Sequence, residues 1–469
     1  MNVNQETLGA IDRCFVEFFS ARKNPGLQFA ISYRGEIVHA GSLGSRSLHP
    51  NLPMIRGTIS RIASMTKSFA TAAILRLRDA GLVELDARVS QIISSLALAE
   101  PFASCSLRDL MAMRLDLPDD DPWADRLLGA TNEEIEPFFA MPLIRAGLGA
   151  TECAYSNLSY LLLGRIIAHV SARPAMEYIT EEIVRPLNLR NTIWNPSDEH
   201  KDHIATGYRV DCDPPQAESY FTCRSDGAVF GGLWSNVSDL ATWLEFLRAA
   251  PGSPIAWDSV LPRASRRELW GCYSNYPAKT MSSLITGQPL NGKADYGFGL
   301  VRSIIGGVEY LSHSGGIPGY GSHMRVHTAT GFGVIALGNG TYCEAALPCT
   351  SALHYLVTTL DEDLRRIPEV VHEIGMRVAD FILSGASSHD DQLFSYNFWI
   401  DNLAGDFTRQ VNNTLCELGA LGEDVRVGAI LSTSGYRGEI EFLGQRGTKK
   451  LEFRLAPHLP ARVQALAWL

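Results

Sequence analysis

Several features that mark other protein classes are missing from this 469-residue sequence. No basic cluster offsets its formal net charge of -10, which argues against a nucleic-acid partner. No apolar run is long enough to span a membrane. The nine cysteines include no Cys-x-x-Cys pair, so we expect reduced, mostly buried thiols. The stretch Met1 to Glu6 has no basic segment followed by an apolar one, so we expect no secretory signal and a cytoplasmic protein.

The composition is that of an ordinary soluble globular protein, 46% hydrophobic and 20% charged. Strand-like segments occur at both ends of the first 360 residues, and the middle, from about residue 84 to 250, is mostly helical. This order predicts an α+β fold in which an antiparallel sheet is flanked by helices and packs against a mainly helical lobe, with the active site in the seam. The predicted helices cover residues 4–22, 64–80, 157–171, 237–249 and 343–360, with one more after Ser106, and the predicted strands cover residues 27–33, 36–41, 296–305, 308–312, 321–327 and 332–339.

The pattern changes after about residue 360. We expect a catalytic domain over residues 1–360, a charged helix and linker over 361–391, and a small β-rich appendage over 392–469. This appendage would either cap the cleft or mediate assembly into a homo-oligomer, and the sequence is compatible with both roles.

The most informative motif is Ser64-Met65-Thr66-Lys67 at the start of a predicted buried helix. A serine and a lysine three residues apart lie on one helix face, within reach of each other. At a helix N-terminus the serine also lies among unpaired N–H groups, which stabilise developing negative charge. A serine enzyme that uses an amine as its base needs this arrangement. A second copy, Ser20-Ala21-Arg22-Lys23, runs into Asn24-Pro25-Gly26 and is interpreted as a solvated helix end.

A second motif, Tyr155-Ser156-Asn157, precedes an apolar helix. A nearby lysine ammonium would stabilise ionised Tyr155, which could then take the serine proton, and Asn157 could orient Lys67 and a substrate amide. If only this tripeptide is considered, the simpler interpretation is that Tyr155 is a half-buried core residue without a catalytic role. The repeat at Tyr273-Ser274-Asn275 is set aside as a loop because Pro277 follows it and no helix does.

The third motif is His313-Ser314-Gly315-Gly316, at the end of a predicted strand. Paired glycines let a backbone approach a ligand closely, and the Gly316 N–H with that of Ser64 would form an oxyanion hole. His313 would line the cleft and supply a proton or a hydrogen bond, although a histidine in a simple turn is an equal alternative.

Together and in this order, the three motifs resemble the serine β-lactamase/DD-peptidase superfamily, specifically the class C β-lactamase-like group with its esterases and D-aminopeptidases. The resemblance covers about residues 5–360. It implies a β-lactamase/transpeptidase-like fold, Ser64 as the acylated nucleophile, and Lys67 with Tyr155 as the proton-transfer pair. Asn157, His313, Ser314, Gly315 and Gly316 would bind the substrate and the oxyanion.

Departures from the family pattern bear on the substrate. His313-Ser314-Gly315 replaces the Lys-Thr-Gly of β-lactamases, which weakens recognition of a β-lactam carboxylate and favours a small ester, amide or peptide substrate. Acyl transfer to another acceptor, or slow acylation of a penicillin-binding or sensor-like module, remain alternatives. The turn at residues 111–118 lacks the glycine that relatives carry, and no Gly-x-Ser-x-Gly elbow occurs.

Three polar groups remain. Asp119-Asp120-Asp121 is interpreted as a solvated loop, with recognition of a substrate amino group as the alternative. His200 and His203 have no third or fourth ligand at convincing spacing, so we expect no metal and no cofactor. His323 and His327 are expected to face away from the cleft.

Overall fold

The computed structural model describes residues 3–149, 151–250, 254–277, 280–360, 369–386, 390–402, 404–419, 425–434, 436–457 and 460–469. The chain divides into two compact units, residues 1–360 and residues 361–469. In the described ranges, no helix is both long and apolar enough to cross a membrane.

The first unit combines a large antiparallel sheet with helices. The helices are α1 Gln5–Ser20, α2 Lys67–Asp79, α3 Val89–Ile92, α4 Leu107–Met111, α5 Asp121–Ala124, α6 Asn132–Ala140, α7 Asn157–Ser171, α8 Ala175–Ile179, α9 Val237–Arg248, α10 Arg263–Glu268 and α11 Ala346–Thr359. Tighter 3-10 turns occur at Ala63–Thr66, Asp125–Gly129, Asp198–His200, Asp226–Phe230 and Ile255–Ser259, and a wider π turn at Thr180–Val184.

The strands of this unit are β1 Gly26–Tyr33, β2 Glu36–Leu48, β3 Asn51–Pro53, β4 Ser60–Arg61, β5 Tyr208–Arg209, β6 Gln216–Ala217, β7 Trp234–Ser235, β8 Ser274–Tyr276, β9 Gly292–Tyr296, β10 Val301–Ile305, β11 Val308–Ile317, β12 Tyr320–His327 and β13 Phe332–Gly338. Nine of them form one sheet in the order β3-β2-β1-β13-β12-β11-β10-β9-β8. The fold class predicted from the sequence is confirmed.

The two faces of the sheet are buried by different helices. On one face, Phe15 of α1 stacks on Phe29 of β1 with ring centroids 4.0 Å apart. On the opposite face, Met324 and Ile335 belong to the core that also contains α2, α7 and α9. Every strand residue of β12 and β13 is buried, as expected for a sheet covered on both sides.

Helix α2, which begins at Lys67 of the first motif, packs against α9. The ring of Phe69 stacks on Trp243 with centroids 3.8 Å apart. The indole N–H of Trp243 donates to Ser68 Oγ at 3.0 Å, and that hydroxyl donates to Met65 O at 2.8 Å. Aromatic packing and two hydrogen bonds therefore hold the Ala63–Thr66 turn in place.

Two predictions for this sheet were wrong. The single strand expected over residues 296–305 is broken by Gly297 to Gly299 into β9 and β10, which pair with each other. Gly299 has φ +70°, and a Cβ there would lie 2.7 Å from Lys67 O, so the bend brings this chain against α2. The Tyr273-Ser274-Asn275 segment, expected in a loop, enters edge strand β8.

The second unit has its own core. It contains α12 Glu369–Leu383, α13 Phe398–Asp401 and α14 Ala404–Leu418 with the sheet β14 Arg426–Ser434, β15 Arg437–Gly444, β16 Gly447–Leu455 and β17 Val463–Trp468. The helix expected in a separate segment over 361–391 contributes Val371, Val378 and Ile382 to this core. Residues 387–389 of the expected linker lie outside the described residues.

Replacing Trp243 tests the support behind the nucleophile turn. Trp243→Ala should lower the free energy of unfolding of the first unit by about 3–5 kcal/mol, because a fully buried ring is lost. Trp243→Phe keeps a stacking ring and loses the hydrogen bond, so it should lower the free energy of unfolding by only about 1 kcal/mol. Urea unfolding followed by far-UV circular dichroism measures both, with Val16→Ala on the exposed side of α1 as a control. Equal effects for Trp243→Ala and the control would contradict this account.

Candidate active site

The nucleophile candidate lies in a strained turn. Ser64 is 8% exposed and belongs to the 3-10 turn Ala63–Thr66, directly before α2, rather than to the α-helix itself. Ala63, the residue before it, has φ +46°, a left-handed conformation that costs a side-chain-bearing residue about 1–2 kcal/mol. Strain of this kind persists where the surrounding structure fixes it, and it concentrates at functional sites.

Lys67 is completely buried and points at Ser64. Its Nζ donates to Ser64 Oγ at 2.9 Å, to Asn157 Oδ1 at 2.6 Å and to the backbone carbonyl of Phe230 at 2.8 Å. These three acceptors use all three N–H bonds of an ammonium group. Burial lowers the pKa of Lys67 to about 8, although the carboxylates of nearby aspartates oppose the shift. The amine is therefore poised to exchange a proton near neutral pH.

The Asn157 side chain is placed by the N-terminus of α7, which begins at that residue as predicted. The Asp120 carboxylate accepts hydrogen bonds from the backbone N–H groups of Asn157 at 2.7 Å and Leu158 at 2.9 Å, and from Ser156 Oγ at 3.0 Å. Asn157 Nδ2 donates to Asp121 Oδ1 at 2.6 Å, which leaves Asn157 Oδ1 turned to Lys67. A carboxylate at a helix N-terminus is stabilised by the free N–H groups there.

Tyr155 lies beside Lys67, whose Nζ is 4.9 Å from the centroid of the tyrosine ring. The expectation that the lysine ammonium favours ionised Tyr155 is wrong in direction. Burial raises the pKa of Tyr155 well above its usual value and the charge of Asp121 adds to this, while a hydrogen bond with Ser64 opposes it. Tyr155 is therefore a neutral phenol at physiological pH, able to donate and accept a proton but not present as a phenolate.

His313 lies on the same side of the sheet as Tyr155, with ring centroids 6.4 Å apart. Its Nδ1 is 2.5 Å from the carbonyl oxygen of Ser314, which can only accept, so Nδ1 carries the proton. Nε2 then accepts from the Tyr296 hydroxyl at 3.4 Å. Burial lowers the pKa of His313 to about 3, and the Lys67 charge adds to this, so the ring is neutral.

The glycine pair brings β11 against the nucleophile segment. The third motif was expected at a strand end, and the structure places it inside β11. A Cβ on Gly315 would lie 2.1 Å from Ile62 O, so only glycine fits where this strand passes the chain leading to Ser64. Strand β10 pairs with β11 only as far as Ser312. In the described part of the chain, one edge of β11 from His313 to Ile317 therefore has no partner strand.

Ser314 and the histidines of β12 are not on the Lys67 side. Ser314 pairs with His323 in the β11–β12 ladder, and Ser314 Oγ is 2.8 Å from His323 Nδ1. His323 and His327 alternate with Met324, which faces the core of α2 and α9, and so they lie on the other face, away from the cleft as expected.

The Asp119–Asp121 segment differs from the solvated loop that was expected. Asp120 and Asp121 are partly buried and bonded to α7, while Asp119 is exposed. Carboxylate atoms of the three lie within 4.8 Å of one another, and across the described ranges this is the one group of three or more potential metal ligands. His200 and His203 are not in such a group.

Some contacts had no usable sequence signal. The third acceptor of Lys67 is a backbone carbonyl, and a carbonyl leaves no trace in side-chain patterns. In the glycine-free turn at residues 111–118, Met113 and Asp116 adopt φ +53° and +54°. Met113 O accepts from Ala154 N at 2.9 Å, so this turn supports the chain directly before Tyr155.

The nine-stranded sheet and the helices packed on it define the β-lactamase/transpeptidase-like fold, and the Ser–Lys pair lies directly before α2. Solved structures agree on the fold. A class C β-lactamase from Rhodobacter sphaeroides superposes with TM-score 0.57 at 19% identity, covering 74% of this chain and 98% of that one. The octameric penicillin-binding protein homologue from Pyrococcus abyssi superposes with TM-score 0.63 at 21% identity, covering 98% of this chain and 95% of that one.

The chain belongs to the Beta-lactamase family, whose model matches residues 11–350. Protein flp of Staphylococcus aureus (strain MW2) is 23% identical over 326 residues, which is 67% of this chain and 59% of that protein. Beta-lactamase-like protein 2 of Dictyostelium discoideum is 32% identical over 228 residues, 46% of this chain and 41% of that protein. The chain thus spans well under two thirds of the length of these relatives.

The role of Asp120 at the α7 N-terminus can be measured. Asp120→Ala should reduce the free energy of unfolding by about 1–2 kcal/mol, because two backbone N–H groups lose their acceptor. The neighbouring Asp119→Ala removes an exposed carboxylate and should have little effect. Urea midpoints of the two variants make the comparison, and a loss for Asp119→Ala as large as that for Asp120→Ala would exclude the capping role.

Proposed function

We propose that this protein is a serine hydrolase that forms an acyl-enzyme on Ser64 with a small ester or amide, of the esterase or D-aminoacyl peptidase type. The observation that carries the proposal is the 2.9 Å hydrogen bond between Ser64 and Lys67, combined with the lowered pKa of that lysine. An unprotonated amine at hydrogen-bond distance from a serine hydroxyl is the requirement for a lysine-activated nucleophile.

The steps follow from these groups. Ser64 Oγ attacks the substrate carbonyl carbon while its proton passes to neutral Lys67. The negative charge that develops on the carbonyl oxygen is stabilised by the backbone N–H groups of Ser64 and Gly316. The tetrahedral intermediate then collapses, the bond to the leaving group breaks, and the proton reaches the leaving group through the Tyr155 hydroxyl. Water hydrolyses the resulting ester and restores Ser64.

The edge of β11 from His313 to Ile317, which no described strand pairs with, favours an extended substrate. Peptide-like ligands add to free strand edges through backbone hydrogen bonds. An acyl chain aligned along His313 to Ile317 would have its carbonyl beside the Gly316 N–H. Neutral His313 offers no positive charge to a β-lactam carboxylate, which supports esters and amides over β-lactams as substrates. The chemistry proposed uses no metal and no cofactor.

Domain roles and assembly are part of the same proposal. We assign catalysis to residues 1–360, which contain every group named in the mechanism. The Pyrococcus abyssi homologue is described as octameric, and its similarity extends over both units of this chain. We therefore propose a homo-oligomer, which light scattering of the purified protein would detect.

The nucleophile is tested with p-nitrophenyl acetate and nitrocefin, with intact-protein mass spectrometry to detect an acyl adduct. Ser64→Ala should abolish adduct and turnover, and Lys67→Ala should slow acylation by about 10²–10⁴-fold, the usual contribution of a general base. The second Ser-x-x-Lys pair supplies the control, because Ser20→Ala removes an exposed serine and should leave the rate unchanged.

An undiminished rate in Ser64→Ala or Lys67→Ala would refute this mechanism. A stable Ser64 adduct without turnover would instead indicate a penicillin-binding module, or a transferase lacking its acceptor.

The pH dependence tests the state of Lys67. Because the pKa of Lys67 is lowered to about 8, the fraction of unprotonated amine increases as the pH rises through that value. The acylation rate should therefore increase about tenfold per pH unit below 8 and level off above it. Stopped-flow measurement of the p-nitrophenol burst between pH 5.5 and 9.5, with buffer hydrolysis subtracted, gives the profile. A rate that falls as pH rises from 6 to 8 would contradict a lysine base.

A further inference from the structure

Three aromatic rings surround the ammonium group of Lys67. Its Nζ lies over the rings of Tyr155, Tyr160 and Phe230, at 4.9, 5.5 and 5.6 Å from their centroids. At these distances the electron-rich face of a ring attracts a cation, and the attraction is strongest where water is excluded. Tyr155 can exchange a proton with Ser64, whereas Phe230 has no group that could do so and Tyr160 commits its hydroxyl elsewhere.

The ring of Tyr160 is held in place by helix α7. Tyr160 follows Asn157 by three residues, so the two side chains occupy neighbouring positions on one helix face. The Tyr160 hydroxyl donates to the carbonyl oxygen of Met111 at 2.9 Å, and the residue is fully buried. The same helix therefore presents an amide oxygen and a ring face to Lys67.

The ring of Phe230 is held in place by the turn Asp226–Phe230, which packs closely on α7. A Cβ on Gly164 of α7 would lie 2.0 Å from the carbonyl oxygen of Asp226, so this approach requires glycine. The turn ends at Phe230, whose carbonyl oxygen accepts from Lys67 Nζ at 2.8 Å. The buried ring of the same residue faces that ammonium, so one residue stabilises it in two ways.

Among the described residues, no carboxylate is hydrogen-bonded to Lys67, because its three N–H bonds go to neutral acceptors. Burial is the largest influence on the pKa of Lys67 and lowers it, whereas the charges of nearby carboxylates raise it. These carboxylates belong to Asp119, Asp120, Asp121 and Asp125. They therefore act on Lys67 through space, without a direct contact.

Tyr155, Tyr160 and His313, which also face Lys67, are uncharged near neutral pH. Burial raises the pKa of both tyrosines above its usual value. Burial also lowers the pKa of His313 to about 3. Beyond its three hydrogen bonds, the contacts that favour the charged form of Lys67 are therefore the faces of the rings around it.

We propose that Tyr160 and Phe230 are positioning residues that keep Lys67 basic enough to accept the serine proton, by holding their ring faces against its ammonium group. They act within the acyl-enzyme function proposed above, on which the inference rests. Without the rings, burial would release the proton at lower pH and leave a weaker base. Both residues act through Lys67 and take no part in the bond changes.

Replacing Phe230 by leucine removes the ring and leaves the backbone carbonyl that accepts from Lys67. The readout is the pH dependence of the p-nitrophenol burst from p-nitrophenyl acetate, followed by stopped flow between pH 5.5 and 9.5. Its midpoint should fall by about 0.5–1 pH unit in Phe230→Leu, because the ammonium loses a desolvated cation–π contact. Relative to its own plateau, acylation at pH 6.5 should then be about 3–8-fold faster than in the unaltered protein.

Matched variants separate the ring from other changes. Tyr160→Leu should lower the midpoint in the same way, whereas Tyr160→Phe keeps the ring, loses the bond to Met111 and should leave the midpoint unchanged. Phe102→Leu removes an equally buried ring that packs on Phe139, and it should also leave the midpoint unchanged. A shift in Tyr160→Phe as large as that in Tyr160→Leu, or a comparable shift in Phe102→Leu, would overturn the assignment.

The protonation of Lys67 is also measured without substrate, by ¹³C NMR of the lysine Cε signals, with Lys67→Ala to assign the resonance. Phe230→Leu should lower this midpoint as well. If the unaltered protein forms a Ser64 adduct and the NMR midpoint is unchanged or higher in Phe230→Leu, the inference fails and the proposed function stands. If the unaltered protein forms no adduct, the proposed function fails and the inference about its base fails with it.

Discussion

The buried ammonium group of Lys67 is the constraint around which the first unit is organised. An isolated cation in a protein interior is expensive, and it is tolerated only where hydrogen bonds replace its water. Here the replacements are Ser64 in the preceding turn and two groups far away in the sequence, Asn157 and the Phe230 carbonyl. Helix α7, the turn before α2 and the Asp226–Phe230 turn must all be in register for the lysine to be buried. Burial of Lys67 therefore depends on the same packing that assembles the site.

Local chemistry explains what could be predicted from the sequence. Helix α7 begins at Asn157 and ends at Ser171 as predicted, because the Ser156 side chain caps it and an apolar run defines it. The Ser64–Lys67 contact is a matter of spacing within one turn. The break at Gly297 to Gly299 was not predicted, because it depends on close contact with the backbone of α2. A strand pattern in the sequence does not reveal such a contact. Likewise the pKa of Tyr155 depends on burial and on Asp121, and neither is visible in a tripeptide.

Several titratable groups lie close together at the candidate site. The family resemblance assigns a lysine to the place of His313, and the ring that stands there is neutral. Asp120, Asp121 and Asp125 lie near enough to Lys67 to influence its pKa. The protonation of Lys67 is therefore coupled to the charges of these carboxylates.

One edge of β11 has no partner strand in the part of the chain that the structure describes, and this bears on self-association. An open strand edge attracts other strands, including those of identical molecules. This edge is only five residues long, contains two adjacent glycines, and is followed by the Pro318–Gly319 turn. Glycine pairs weakly and proline stops a ladder. The same glycines that let β11 pass close to the nucleophile segment therefore also make this edge a poor template for self-association.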